Sequence, residues 1–184
     1  MARIFAIALV VVSLAAAPAT AQGYGVKGKS RVEALYGFVS GGSDFAIGLT
    51  YRETESYGFG VGFESARSGG TSATAFTVDF RYYFAQPSME MARTEPYVYA
   101  GIGSIAVSGG GTATGFGAGI GTRFQVSEPV TLRGNVGFVS AAGASAMTYS
   151  AAVEYHFSQS YYGLAGLAGS GSSSEFFVGF GSQL

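Results

Sequence analysis

One stretch of the chain, residues 147–157, alternates between apolar and polar side chains without a break. Because successive side chains of a β-strand point to opposite faces, this pattern predicts a strand with one apolar and one polar surface. Similar segments recur along the chain, with about the length that a tilted strand needs to cross a hydrocarbon layer. The pattern therefore favours a membrane barrel over a soluble sheet. The two faces of the stretch are Met147, Tyr149, Ala151, Val153, Tyr155 and Phe157, and Thr148, Ser150, Ala152, Glu154 and His156.

The N-terminus has the three parts of a secretory signal peptide. Arg3 lies in a short basic region, residues 4–17 form an apolar run, and residues 19–21 form a small-residue cleavage site. A transmembrane anchor would need about 20 apolar residues, and this run is shorter. We therefore expect residues 1–21 to be a cleaved signal peptide and residues 22–184 to form one domain.

The composition indicates an exported membrane protein that contains few helices. Charged residues make up 11% of the chain, against about a quarter in soluble domains. The 30 glycines disfavour long helices, and the lack of cysteine excludes disulfide bonds. Together these features predict the outer membrane of a diderm bacterium. A formal net charge of -1 gives no reason to expect a nucleic-acid partner.

The period-2 segments predict an all-β fold, an antiparallel up-and-down barrel. The chain after residue 157 contains residues 161–168, a Gly/Ser run and residues 175–181, which together predict a final hairpin and favour ten strands. In the alternative, eight strands form the barrel core 30–157 and residues 158–184 are a tail. The first eight predicted strands are residues 30–40, 43–53, 56–66, 73–84, 96–107, 114–126, 130–139 and 146–157.

An even number of strands places both chain ends on the same side, which we expect to be the periplasm. The inner turns are then predicted near residues 54–55, 86–95, 127–129 and 158–160. The outer loops are short and almost free of charged and aromatic residues. They are predicted near residues 41–42, 68–72, 109–111, 141–145 and 169–174.

Charged residues share the face opposite the apolar one in the predicted strands. The apolar face can meet lipid only if the charged face points inward, whereas a soluble barrel such as a lipocalin has the reverse arrangement. We expect these inward charges to form a salt-bridge network, with a narrow path for small solutes as the alternative. The predicted lumen residues are Arg31, Glu33, Asp44, Arg52, Glu64, Asp79, Arg81, Arg123, Arg133 and Glu154.

Aromatic residues gather near the proposed inner ends of the strands, which is typical of a girdle at the membrane interface. Glycines at 115, 117, 119 and 121 are expected to leave space on one wall of the lumen, filled by arginine side chains or water. These glycines lack the lysine and the helix of a phosphate-binding loop. The predicted girdle residues are Tyr51, Tyr57, Tyr82, Tyr83, Tyr97, Tyr99, Phe124, Tyr155, Phe157, Tyr161 and Tyr162.

Three glycine-rich or aromatic stretches carry a family resemblance: residues 95–103 (EPYVYAGIG), 115–124 (GFGAGIGTRF) and 130–133 (VTLR). They resemble the small outer-membrane β-barrel or porin-family proteins, similar in style to the OmpA membrane domain, OmpX and the Opa proteins. The resemblance covers most of the mature chain and implies a barrel architecture. The chain departs from the adhesive members in its small outer loops, and we expect no periplasmic peptidoglycan-binding domain. We therefore expect neither adhesion nor wall anchoring.

The only histidine lies in His156-Phe157-Ser158, which resembles the His-x-Ser motif of outer-membrane lipid A deacylases. A serine nucleophile needs a base within hydrogen-bond reach. Here Gln159 stands where that motif has asparagine, and His156 is predicted to face inward near the periplasmic end. We therefore expect no catalytic residue. One histidine without cysteine cannot supply the usual metal ligands either.

The sequence thus favours a small, non-enzymatic outer-membrane barrel with a structural role or weak binding of small molecules. The alternatives are a narrow, porin-like channel and, less favoured, a lipid A modifying enzyme. We expect a monomer without cofactor or metal. The expected partners are outer-membrane lipid, lipopolysaccharide and, during biogenesis, the barrel-assembly machinery.

Overall fold

The computed structural model describes residues 30–39, 41–84, 94–171 and 173–184. The predicted signal peptide and most of the predicted inner turn 86–95 lie outside these residues. No helix in the described part of the chain is long and apolar enough to cross a membrane.

Ten antiparallel strands make up most of the described chain. Each strand pairs with its neighbours in sequence, and the first pairs with the last, so the sheet closes into an up-and-down barrel. The predicted all-β class and the count of ten strands are confirmed. The strands are β1 (Ser30–Val39), β2 (Gly42–Arg52), β3 (Tyr57–Ser68), β4 (Thr71–Tyr83), β5 (Thr94–Val107), β6 (Gly111–Ser127), β7 (Val130–Ala141), β8 (Ala144–His156), β9 (Tyr161–Ser170) and β10 (Ser173–Gln183).

The last hairpin closes the barrel, so the alternative of eight strands with a tail is wrong. β10 pairs with β1 from Arg31–Gln183 to Val39–Glu175, and β9 pairs with β8. Without β9 and β10 the edges of β1 and β8 would carry unpaired N–H and C=O groups. Such groups cost several kcal/mol each in hydrocarbon, where no water can bond to them.

Tight glycine-containing hairpins connect the strands at one end of the barrel. Between Ser68 and Thr71, the two loop residues Gly69 and Gly70 have φ values of 55° and 82°. Positive φ at both positions matches the right-handed twist of the flanking strands and favours glycine. We call this end the outer end, and we call the end that carries Ser30 and Leu184 the inner end.

The barrel has an apolar outside and a mixed inside. Large side chains such as Phe76, Ile102 and Phe116 are exposed on its outer surface. This is the reverse of a soluble barrel and suits a hydrocarbon surrounding. Near the outer end, small apolar side chains line the inside. They are Ala73, Ala75, Ile105, Val139 and Ala141, with Val107 and Ala146 packed against them.

We expect residues 161–183 to resist protease in the folded protein. This segment contains no lysine or arginine, so the experiment needs chymotrypsin or proteinase K rather than trypsin. Its backbone is paired on both sides, which keeps it out of a protease active site. Mass spectrometry of the digested, detergent-folded protein is the measurement, with the heat-unfolded protein as control. Trimming after Phe157 in the folded sample would contradict the ten-strand barrel.

Candidate functional site

All ten charged residues predicted for the lumen lie inside the barrel, and each is at most 5% exposed. Alternation along the strands puts them there, because their neighbours in sequence carry the exposed apolar side chains. Sequence reasoning missed one further acid, Glu175, which is 3% exposed. Its inward position could have been found from β10, where it shares a face with Phe177 and Gly179 opposite Phe176.

Glu154 on β8 is the centre of a group of arginines. Arg31 Nη2 and Arg123 Nη2 donate to Glu154 Oε2 at 3.1 and 2.6 Å. Arg133 Nη1 lies 3.2 Å from the other oxygen, Oε1. His156 Nε2 lies 3.4 Å from Oε2. Three guanidinium groups from three different strands thus surround one carboxylate that is 0% exposed.

Glu33 on β1 is the second carboxylate of this group. Arg133 Nη1 donates to both of its oxygens, at 3.0 and 3.2 Å, and the Tyr162 hydroxyl donates to Oε1. The guanidinium of Arg31 lies over the Tyr162 ring at 4.2 Å, a favourable cation–π position. We call this group the inner network. Its members are Arg31, Glu33, Arg123, Arg133, Glu154 and Tyr162.

The inner network reaches across the lumen. Arg133 lies on β7 and Glu33 on β1, and the strands β8, β9 and β10 separate β7 from β1 in the closed sheet. In a ten-strand barrel this is nearly the full diameter. The Arg133–Glu33 ion pair therefore bridges the inside of the barrel instead of lying along one wall.

A second group fills the other side of the inner half. Arg52 on β2 pairs with Glu95 on β5, and its guanidinium lies over the Tyr83 ring at 4.1 Å. Tyr83, Tyr97 and Tyr99 form a row with ring centroids 5.8 and 6.2 Å apart. Aromatic rings and ion pairs thus occupy the cross-section together.

Tyr83, Tyr97, Tyr99 and Tyr162 do not belong to a girdle on the lipid side, so the prediction for these four residues is wrong. All four point inward and are at most 7% exposed. The other predicted girdle residues are exposed on the outer surface near the inner end. They are Tyr51, Tyr57, Tyr82, Phe124, Tyr155, Phe157 and Tyr161.

The glycines of β6 explain why Tyr97 and Tyr99 turn inward. A Cβ atom on Gly121 would overlap the Tyr97 ring, and one on Gly119 would overlap the Tyr99 hydroxyl. The glycines therefore leave the space that the rings occupy. The sequence expectation that arginine or water fills this wall is corrected at Gly119 and Gly121, because tyrosine fills it there.

The charges are divided between the two halves of the lumen. In the described part of the chain, the buried arginines lie in the inner half, where Arg81 also pairs with Asp79 at 2.5 Å. The outer half instead contains the three buried acids Asp44, Glu64 and Glu175. Asp44 and Glu175 both approach Gly37, so the two carboxyl groups are neighbours.

His156 and Ser158 do not form a nucleophile–base pair. His156 packs against the Tyr162 ring at 5.1 Å and faces Glu154. The Ser158 hydroxyl accepts hydrogen bonds from the backbone N–H groups of Ser160 and Tyr161 at 3.3 and 3.0 Å, which closes the turn. Among the described residues, no group of three or more His, Asp or Glu side chains is arranged to hold a metal ion.

Comparison with known proteins identifies the fold. No family model and no curated protein matches the sequence. A solved outer-membrane channel from Pseudomonas putida F1 aligns with a TM-score of 0.52 at 8% identity, over 90% of this chain and 98% of that chain. The KdgM porin aligns with a TM-score of 0.51 at 9% identity, over 83% of this chain and 98% of that chain.

The chain has the fold of a bacterial outer-membrane β-barrel. The similar structures are themselves outer-membrane barrels. At such low identity the similarity shows the fold alone. The function has to be inferred from the inside and the outside of this barrel.

We expect Glu154→Gln to lower the free energy of unfolding by about 3–5 kcal/mol. The substitution leaves three buried guanidinium groups without their shared charge while it preserves the side-chain volume. The change is measured by unfolding the detergent-folded barrel in urea and monitoring its far-UV circular dichroism.

The matched control is Glu128→Gln in an exposed inner turn, which should change stability by less than about 0.5 kcal/mol. Equal stability of the two variants would contradict the central role of Glu154.

We expect Gly121→Ala to destabilise the barrel by about 1–3 kcal/mol, as overpacking does. The added methyl group meets the Tyr97 ring, which cannot move away because Tyr83 and Tyr99 hold it on both sides. Gly134→Ala on β7 is the control, since its Cβ would lie 3.5 Å from the nearest atom, an ordinary contact. The same unfolding measurement applies, and a Gly121→Ala barrel as stable as the control would refute the close packing.

Proposed function

We propose that this protein is a small, non-enzymatic outer-membrane barrel with a closed lumen, and that it contributes to envelope structure. The observation that carries the proposal is the Arg133–Glu33 bridge across the inner half of the lumen. We further propose that it works as a monomer among outer-membrane lipid and lipopolysaccharide, after insertion by the barrel-assembly machinery.

The burial of the inner network supports a closed lumen. Glu33 and Glu154 are 0% exposed, so a water-sized molecule does not reach them. A solute that passed between them would have to separate buried ion pairs. Leaving one buried partner uncompensated costs about 3–5 kcal/mol, and the network contains several such pairs.

The geometry around His156 supports a non-enzymatic role. Its imidazole faces Glu154 inside the barrel, at the inner end. The neighbouring Ser158 hydroxyl accepts two backbone hydrogen bonds in its turn. A base and a nucleophile need to share a hydrogen bond near the substrate, and these two side chains are engaged elsewhere.

A second candidate function is a narrow solute path or a weak binding site for small molecules. The three buried acids in the outer half favour it, because they gather carboxyl groups in one part of the lumen, and two of them, Asp44 and Glu175, are neighbours. Asp44, Glu64 and Glu175 would attract cations, and the inner network would then act as the gate. This candidate predicts cation preference.

Planar-bilayer recordings separate the two candidates. We expect the folded wild-type barrel to give no steady conductance steps, because the inner network blocks the lumen. Heat-modifiable gel migration serves as the check that the inserted protein is folded. Steady steps with a cation-selective reversal potential would overturn the closed-lumen proposal and support the gated path. Glu154→Gln tests whether the inner network acts as a gate. This substitution weakens the network, so it should raise the conductance only if a solute path through the outer half of the lumen reaches the network.

A further inference from the structure

The outer surface carries one cation near the outer end. Among the described residues, Arg67 on β3 is the only lysine or arginine that is exposed. No carboxylate of the described chain lies within ion-pair distance of it. The exposed charged residues of the described inner end have the opposite sign. They are Glu53, Glu55 and Glu128.

Arg67 lies beyond the exposed rings of β3, towards the outer end. Phe63 on the same face of β3 pairs with Ile47 and Phe76, which are exposed and apolar. Two residues further along, Ser65 pairs with Thr74 on β4 and with the exposed Phe45 on β2, so hydroxyl groups replace the rings on β3 and β4.

The rise along a tilted strand gives the height of Arg67 relative to Phe63. Arg67 follows Phe63 by four residues, which brings its Cα about 10 Å closer to the outer end. Its partners across the two neighbouring strands are Ser43 and Ser72. Along β3 and β4 the outer surface thus changes from rings to hydroxyl groups to a cation, which is the order of polarity from hydrocarbon to headgroups.

A concavity of about 620 Å³ lies beside Arg67, between the β1–β2 and β3–β4 loops. The Ser68 hydroxyl donates to the backbone oxygen of Gly41 at 3.4 Å and joins the two loops. The described lining contains hydroxyl groups, backbone and one guanidinium, but no carboxylate. We call it the outer-rim pocket. It is lined by residues 41–43 and 67–72.

We propose that the outer-rim pocket binds a phosphate group on the headgroup of an outer-leaflet glycolipid. A guanidinium presents paired N–H donors that match the oxygens of a phosphate, and hydroxyl groups can complete the set. The short outer loops leave the pocket open towards the headgroup layer. The proposal rests on the proposed place of the barrel among outer-membrane lipid and lipopolysaccharide, but it holds whether or not the barrel conducts, because Arg67 itself faces away from the lumen.

The test compares variants of the full-length mature protein folded in zwitterionic detergent. Native mass spectrometry measures binding of diphosphorylated lipid A and of chemically dephosphorylated lipid A. We expect Arg67→Gln to weaken binding of the phosphorylated lipid by about tenfold. Arg67→Lys should lose less, because it keeps the charge. Glu128→Gln at the inner end is the control and should bind like the wild type.

Three outcomes would overturn the proposal. The first is Arg67→Gln binding phosphorylated lipid A as the wild type does. The second is a wild type that binds the two lipids equally, which would mean that the acyl chains carry the affinity. The third is displacement of the lipid by millimolar inorganic phosphate, which would show a site for free anions. Heat-modifiable migration of each variant confirms that it is folded before binding is measured.

Discussion

The structure depends on one constraint: in hydrocarbon every backbone N–H and C=O group has to find its partner within the protein. The pairing of β10 with β1 meets this constraint by removing both sheet edges. Once the sheet is closed, alternation assigns each side chain either to lipid or to the lumen. The charged residues of the strands are then confined inside, where they need partners of their own. The inner network follows from barrel closure as much as from any function.

Filling the lumen requires large side chains and the space for them. Ten strands enclose more volume than eight, and ion pairs alone would leave gaps beside β6, where glycines face inward. Tyr97 and Tyr99 fill these gaps, and Tyr83 continues the row towards Arg52. Their hydroxyl groups keep this filling compatible with the nearby charges. Glycine on one strand and tyrosine on the next therefore act as a complementary pair, and together they let a wide barrel have a packed interior.

The sequence predicts those features that depend on local alternation. Glu154 and Tyr155 could be assigned to opposite faces because their neighbours alternate clearly. The face of Tyr97 could not be assigned, because neither face of β5 is clearly polar in this region. One face has tyrosines and glycines, and the other has Val98, Ala100 and Ile102. Only the space beside Gly121, on another strand, decides it. The Arg133–Glu33 ion pair could not be predicted from the sequence either, because the two residues are 100 positions apart and meet across the lumen.

The buried inner network and the short loops limit where such a barrel can recognise other molecules. Long outer loops supply the recognition surfaces of many outer-membrane barrels, and here they are two- or three-residue turns. The outer half of the lumen and the rim remain, and their charges are opposite in sign: buried acids inside, and Arg67 outside. The first would attract a cation and the second an anion. Because the wall of the barrel separates them, the two surfaces can act independently, and a change at the rim need not disturb the network that holds the interior together.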